Sequence, residues 1–308
     1  MSVAGTQSSG GRARIVAFVG GGAIALRALD ALHENHDVVA VVRSSSPRAL
    51  GGLRRRARSA LSAVRVRADD PLTLWARTHG VSTLWLERDR SERLVTQIRS
   101  LRPDVGCIAT FPRKIAEPVL DSVGAMCLNA HPSLLPRHRG ADPLFWTYHA
   151  GDRSGGVTVH VATGDVDGGP VVSQAQTPIG RGESAVAVHE RYATMGAALL
   201  VAAVADVLTG SAGPAAQVAE GVTSAPRVVR GRSYAALDEW GVEQAWHFLK
   251  GLEERYREPF RETSGAIAEY AHVVGWEARN AEHAPGSIVP DGSGWQVWTR
   301  DGVVHLAP

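Results

Sequence analysis

The stretch that decides the fold is Arg14-Ile15-Val16-Ala17-Phe18-Val19-Gly20-Gly21-Gly22-Ala23-Ile24-Ala25-Leu26. Arg14–Val19 is an almost wholly apolar, β-branched run of buried-strand length. Three glycines stop it, and Ala23–Leu32 then places Leu26, Leu29 and Leu32 on one helical face. A strand, a glycine turn and a helix form the opening of a βα unit. Working outward, strands are expected at Asp37–Val42, Thr83–Leu86, Val105–Ala109, Ala125–Ala130 and Val157–Val161, and helices at Ser91–Leu101 and Ser184–Leu208. This alternation predicts an α/β fold built on a doubly wound, mostly parallel sheet. Such sheets bind ligands outside the carboxyl ends of their strands, so the chemistry is expected in the loops that follow them.

Composition changes at Thr209–Pro226, where Gly, Ser, Pro and Ala dominate. The expected organisation is a catalytic domain over 12–209, a linker over 210–226 and a small β domain over 227–308. The last contains one helix, Val242–Leu252, then β-like runs at Ile267–Val274, Trp295–Thr299 and Val303–Leu306. Pro285-Gly286, Asp291-Gly292 and Asp301-Gly302 punctuate these runs as turns.

With 308 residues, 44% of them apolar and 21% charged, the chain can bury a sizeable core, which excludes wholesale disorder. Its net charge of +2 hides an uneven distribution. Arg43–Arg67 carries eight arginines and no acid, so the remainder is net negative. That segment could meet RNA phosphates, the phosphate of a small substrate, or only solvent, with Leu53, Ala57, Ala60, Leu61 and Val64 as its apolar stripe. Cys107 and Cys127 sit in apolar runs and read as buried, reduced thiols. Ala197–Val207, the longest apolar run, is broken by Asp206 and too short for a membrane span. Met1–Gly11 lacks the apolar segment of a signal peptide. A cytoplasmic protein without membrane contact is expected.

Three motifs are candidates for chemistry. Gly20–Ala25 stands where a dinucleotide fingerprint would, but Arg43 occupies the end of the second strand where an acid is expected. That favours a tight structural turn over cofactor binding; a phosphorylated ribose is the form of cofactor the arginine would suit. The second is Cys127-Leu128-Asn129-Ala130-His131-Pro132-Ser133-Leu134-Leu135-Pro136-Arg137-His138-Arg139-Gly140. Asn129 and His131 lie two residues apart and leave one face of a strand together. An amide beside an imidazole can hold an oxyanion and move a proton, or the pair can simply close a loop. The third is Thr163-Gly164-Asp165-Val166-Asp167-Gly168-Gly169-Pro170. Its two acids could cap turns, flank an imidazole or bind a metal. A divalent ion needs more oxygen ligands than this, so no metal is expected.

The Asn129/His131 pair, Ser133-Leu134-Leu135-Pro136 with Arg139-Gly140, and Asp165–Pro170 some thirty residues later together resemble the formyltetrahydrofolate-dependent formyltransferases. That family includes methionyl-tRNA formyltransferase, glycinamide ribonucleotide transformylase and the amino-sugar N-formyltransferases. The resemblance covers nearly the whole chain. Ala284-Pro285-Gly286-Ser287-Ile288 resembles the opening of the OB-like C-terminal domain of the tRNA and sugar branches. It implies a Rossmann-like catalytic domain with Asn129, His131 and Asp167 as the catalytic trio, and Asp165 as a residue closing its own loop. It also implies formyltetrahydrofolate as co-substrate, held along Ala109–Ile115 and Ala162–Asp167, with Phe111, Arg113, Ile115, Ser133, Leu134, Thr163 and Asp165 as its contacts. Phe111-Pro112-Arg113-Lys114 departs from the small Gly-containing segment usual in the tRNA enzymes. The acceptor implied is therefore a small-molecule amine, an amino sugar or a biosynthetic intermediate. tRNA is the alternative, followed by hydrolysis of formyltetrahydrofolate and an NADP-dependent oxidoreductase resting on Gly20–Ala25.

Overall fold

The computed structural model describes residues 11–44, 70–87, 91–262, 265, 268–280 and 282–308. It forms two compact units, one from Met1–Pro136, Val157–Ala175 and Tyr192–Gly221, the other from Arg137–Gly156, Gln176–Arg191 and Val222–Pro308.

A seven-stranded sheet dominates, in the order β3-β2-β1-β4-β5-β7-β8. Its strands are β1 (Arg14–Val19), β2 (Asp37–Ser44), β3 (Ser82–Leu86), β4 (Val105–Ala109), β5 (Cys127–His131), β7 (Ser154–Val161) and β8 (Val171–Pro178). β3 to β5 run parallel, and β7 pairs antiparallel with β5. The mostly parallel α/β sheet expected from the sequence is thus present. β1 and β4 are buried along almost their whole length, as a sheet covered on both faces requires. The covering helices are α1 (Gly22–Asn35), α2 (Pro71–Thr78), α3 (Ser91–Ser100), α4 (Glu117–Leu120) and α6 (Ala185–Thr209).

The glycine turn after β1 has a packing cause. A Cβ on Gly20 would lie 1.9 Å from the carbonyl oxygen of Thr110, at the end of the neighbouring strand. Thr110 Oγ1 in turn donates to Gly21 O at 3.0 Å. The turn is therefore small so that the β4 loop can close against it. Arg43 pairs with Asp70, the residue that caps α2, and lies over the Trp85 ring. This accounts for a cation at the end of β2 without a phosphorylated ribose. The rest of the arginine segment expected to meet a phosphate or solvent, residues 45–67, lies outside the described residues.

α6 is the helix expected over Ser184–Leu208, and it carries the apolar run Ala197–Val207. It is 25 residues long with a mean hydropathy of 1.7 over its most apolar window, enough by length and composition to cross a bilayer. Its buried positions Ala185, Val188, Tyr192, Ala193, Ala197, Leu200, Ala203 and Val204 follow helical spacing, the pattern of a core helix with one packed face.

The second unit holds a four-stranded antiparallel sheet, β10-β13-β12-β11, from His272–Ala278, Gly302–Ala307, Gly294–Thr299 and Ile288–Asp291. It is the small C-terminal β structure the turn dipeptides predict. Its first strand starts later than the apolar run suggests, because Ala268 N is bonded to Phe260 O and Ala271 N begins the pairing with Ala307 O. This unit also contains α5 (Pro143–His149), α7 (Val242–Leu252) and a two-residue parallel pair, β6 (Arg139–Gly140) with β9 (Ser224–Ala225).

Candidate active site

β5 delivers Asn129 and His131 at its carboxyl end, two residues apart on one face. Antiparallel β7 places a partner opposite each: Asn129 faces His160, and His131 faces Thr158. The loop after β7 brings Asp167 to the same point. Its Oδ2 lies 3.6 Å from His131 Nδ1, and its Oδ1 lies 3.2 Å from Asn129 Nδ2 and 3.5 Å from His160 Nε2. The His131 side chain is 5% exposed and that of Asp167 14%, so the carboxylate and imidazole meet in a largely dry setting. An ion pair there is screened far less than at the surface.

His160 is the residue that sequence reading missed. Its Nδ1 donates to Val161 O at 3.0 Å, which leaves Nε2 to accept from Asn129 Nδ2 at the same distance. The Asn129 amide is thus oriented by a neutral ring nitrogen on one side and a carboxylate on the other. The signal in the sequence is only the alternation Thr158-Val159-His160, which sets Thr158 and His160 on one face of a strand whose partner is not local.

The loop after His131 is clamped at its base. Thr158 is fully buried; its hydroxyl donates to Ser133 O at 2.7 Å and accepts from Leu135 N at 3.1 Å. Gln174 Nε2 completes the clamp on Thr158 Oγ1 at 2.7 Å and Leu135 O at 3.0 Å. Leu135–Pro136 is a cis peptide.

The Asp loop is equally constrained. Asp167 takes a left-handed φ of 48°, unusual for a residue with a Cβ. A Cβ on Gly169 would stand 1.8 Å from Val161 O, so that position tolerates nothing larger. Asp165 is exposed, with its amide on Thr163 Oγ1 at 3.3 Å, a local turn contact.

The residues expected to contact the formyl donor lie in different settings. Ile115 belongs to the buried core, with Phe111 and Ala162 packed against the same cluster. Phe111 meets Phe18 edge-on at 5.9 Å, and Arg113 donates to Leu86 O at 3.3 Å. Ser133 is buried, Leu134 half-buried and Thr163 exposed.

Two other histidines have structural partners in the second unit. His138 Nε2 lies 2.7 Å from Asp152 Oδ2, and Arg137 contacts both oxygens of the same carboxylate. Hydrogen bonds from His138 and Arg137 outweigh the cost of burial and hold the Asp152 carboxyl below its ordinary range. His149 Nε2 donates to Tyr234 O, and burial lowers its proton affinity. Among the described residues no cluster of three metal-ligating side chains occurs.

The family model described as Formyl transferase matches residues 13–204. The methionyl-tRNA formyltransferase of Paracoccus denitrificans is 37% identical over 240 residues, 77% of this chain and 74% of that protein. The enzyme of the same name from Halorhodospira halophila is 37% identical over 164 residues, so the matched part spans about half of each chain, 53% of both. Among solved structures, an N-formyltransferase from Helicobacter canadensis, in complex with folinic acid and dTDP-3-aminofucose, superposes with a TM-score of 0.67. That match covers 95% of this chain and 98% of the other at 14% identity, a likeness of fold alone. The match over most of the N-terminal two thirds, together with relatives at this identity, makes the chain a member of the formyltransferase family.

Proposed function

We propose that this chain is a cytoplasmic enzyme that moves a formyl group from formyltetrahydrofolate to the primary amine of a small molecule, an amino sugar or a biosynthetic intermediate. The observation that carries the reading is the meeting of Asn129, His131 and Asp167 at the carboxyl end of β5. The acceptor nitrogen attacks the formyl carbon and the carbonyl electron pair moves onto oxygen. That oxyanion then collapses, the bond from carbon to the folate nitrogen breaks, and the proton shed by the acceptor ends on that nitrogen. The Asn129 amide and protonated His131 hold the oxyanion, and Asp167 keeps the imidazole oriented and charged. One such donor typically contributes ~3–4 kcal/mol to the barrier. Both Asn129 amide hydrogens are directed inward, at His160 and Asp167. Giving one to the oxyanion costs least on the His160 side, because a neutral ring nitrogen loses less than a carboxylate.

The donor set of amide, imidazole and carboxylate fits a formyl donor, and Phe111, Ile115 and Ala162 belong to or pack against one core cluster. Folinic acid in the Helicobacter canadensis structure supports the same co-substrate. For the acceptor, Arg279, just after β10, lies over Trp298 and pairs with Glu277 and Glu282, so this cation is already engaged by the C-terminal unit's own acids. The nucleotide-sugar in the Helicobacter canadensis complex points the same way. The Paracoccus denitrificans relative favours a second reading, transfer to methionyl-tRNA.

Incubation of the protein with 10-formyltetrahydrofolate and either dTDP-linked amino sugars, charged initiator tRNA or no amine separates these readings by mass spectrometry. Formylated amino sugar with unmodified tRNA is the expected result. Efficient tRNA formylation at physiological salt would replace the small acceptor, and equally fast formate release without any amine would make the protein a hydrolase.

A further inference from the structure

Residues 210–221 have the composition of a linker, yet they pack within the first unit. Ala215 exchanges both backbone hydrogen bonds with Val171, at 2.7 and 2.8 Å, as an added antiparallel pair at the start of β8. Two residues on, the Gln217 amide nitrogen donates to Asp167 O at 2.8 Å and to Gly169 O at 2.7 Å. These are the carbonyls on either side of Gly168, and one side-chain amide closes the turn between them. The other side of the turn is fixed by Val161 N on Pro170 O at 2.8 Å and by the close approach of Gly169 to Val161 O.

We infer that Gln217 is a positioning residue for Asp167. A non-glycine residue held at φ 48° persists only where its surroundings over-determine it. The Asp167 carboxylate meets Asn129, His131 and His160 at 3.2 to 3.6 Å, whereas the two bonds from Gln217 are shorter and fall on the loop backbone itself. One holds the peptide unit that joins Asp167 to Gly168 and the other holds the carbonyl of Gly169, and together they fix the backbone from which the Asp167 side chain leaves. The segment 215–217 is therefore a strap that keeps the carboxylate against His131. The inference rests on the proposed role of the trio.

The strap is tested without an acceptor or a formyl donor, by following the His131 ring resonance against pH in the isotopically labelled full-length protein. Titratable groups facing that ring include Asp167 and His160. Asp167→Asn is expected to lower the His131 titration midpoint by about one pH unit or more, since it removes an opposite charge within ~4 Å. Gln217→Leu, which stays branched and apolar and removes both donors, is expected to lower it by at least half as much while the thermal midpoint moves by only a few degrees. Gln217→Met retains the length without a charge or an N–H to donate; it is expected to act in the same direction, and it decides the matter if the leucine variant does not fold. If Asp167→Asn moves His131 and both Gln217 variants leave it where the wild type has it, the strap is refuted and the trio stands. If Asp167→Asn itself has no effect, the pairing of Asp167 with His131 is wrong, and with it the reading on which the strap depends.

Discussion

Thr158→Val isolates the clamp beneath the loop that follows His131. The two side chains have nearly the same shape, so the change removes a hydroxyl and little else. That hydroxyl is fully buried and makes three hydrogen bonds, to Ser133 O, from Leu135 N and from Gln174 Nε2. Gln174 keeps its bond to Leu135 O. Ser133 O and Leu135 N each lose the Thr158 partner in a site without water access, at roughly 1–3 kcal/mol apiece, and the added methyl offsets a part. The net cost comes to about 3 kcal/mol. For a unit of this size that corresponds to a fall of about 6–12 °C in the thermal midpoint. Thr158→Ser retains the hydroxyl and gives up only a methyl, so it should lose about a third as much. Differential scanning calorimetry of the three proteins at pH 7 measures both differences, and formyl transfer by the valine variant should fall because the loop begins at His131. A valine variant that melts within 2 °C of the wild type, or below the serine variant by no more than experimental error, would refute the view that this hydroxyl holds the loop.

Three further outcomes follow from the structure. Gly20→Ala should cost about 2 kcal/mol or more in urea unfolding, because its Cβ would meet the Thr110 carbonyl at 1.9 Å; a neutral change would mean the turn has slack. His247 is buried against Tyr148, and desolvation, aided by Arg153, lowers its pKa to about 4. The folded state therefore binds its proton less readily than the unfolded chain, so stability is fully present above pH 6.5 and is lost as pH falls toward 4, by at most about 3 kcal/mol. His247→Gln should show a flatter dependence of stability between pH 7 and 5, and an unchanged slope would remove His247 as its source. Burial raises the proton affinity of both Cys107 and Cys127, so neither should react with a thiol reagent at pH 8 until the protein unfolds. Rapid labelling of the native protein would show that β4 and β5 open readily.

The parts of the site written locally could be read from the sequence. Asn129 and His131 are two residues apart on one strand, and Asp167 precedes the small-residue turn Gly168-Gly169, so each stands in a short motif on which the family resemblance rests. What could not be read arises from chain segments that meet only in the fold. His160 and Thr158 gain their roles through antiparallel pairing with β5, a register fixed by no short-range pattern. Gln174 lies on β8, whose sequence, Val-Val-Ser-Gln-Ala-Gln-Thr-Pro, is too polar to stand out as a strand. Gln217 was hidden for the opposite reason, because Gly, Ala and Pro around it read as a spacer while the backbone there pairs with Val171. The fold was legible at β1 to β5 since buried parallel strands are near-continuous apolar runs. α6 was legible as well, expected over Ser184–Leu208 and found over Ala185–Thr209, because its apolar residues recur at helical spacing.

The central claim is that Asn129, His131 and Asp167 act as one unit in formyl transfer. It is tested most directly by single-turnover formyl transfer from 10-formyltetrahydrofolate to the acceptor identified in the panel above, comparing the wild type with His131→Asn and Asp167→Asn. Each variant is expected to melt close to the wild type and to lose about 10²–10³-fold in rate. Near-normal turnover in either folded variant would contradict the account.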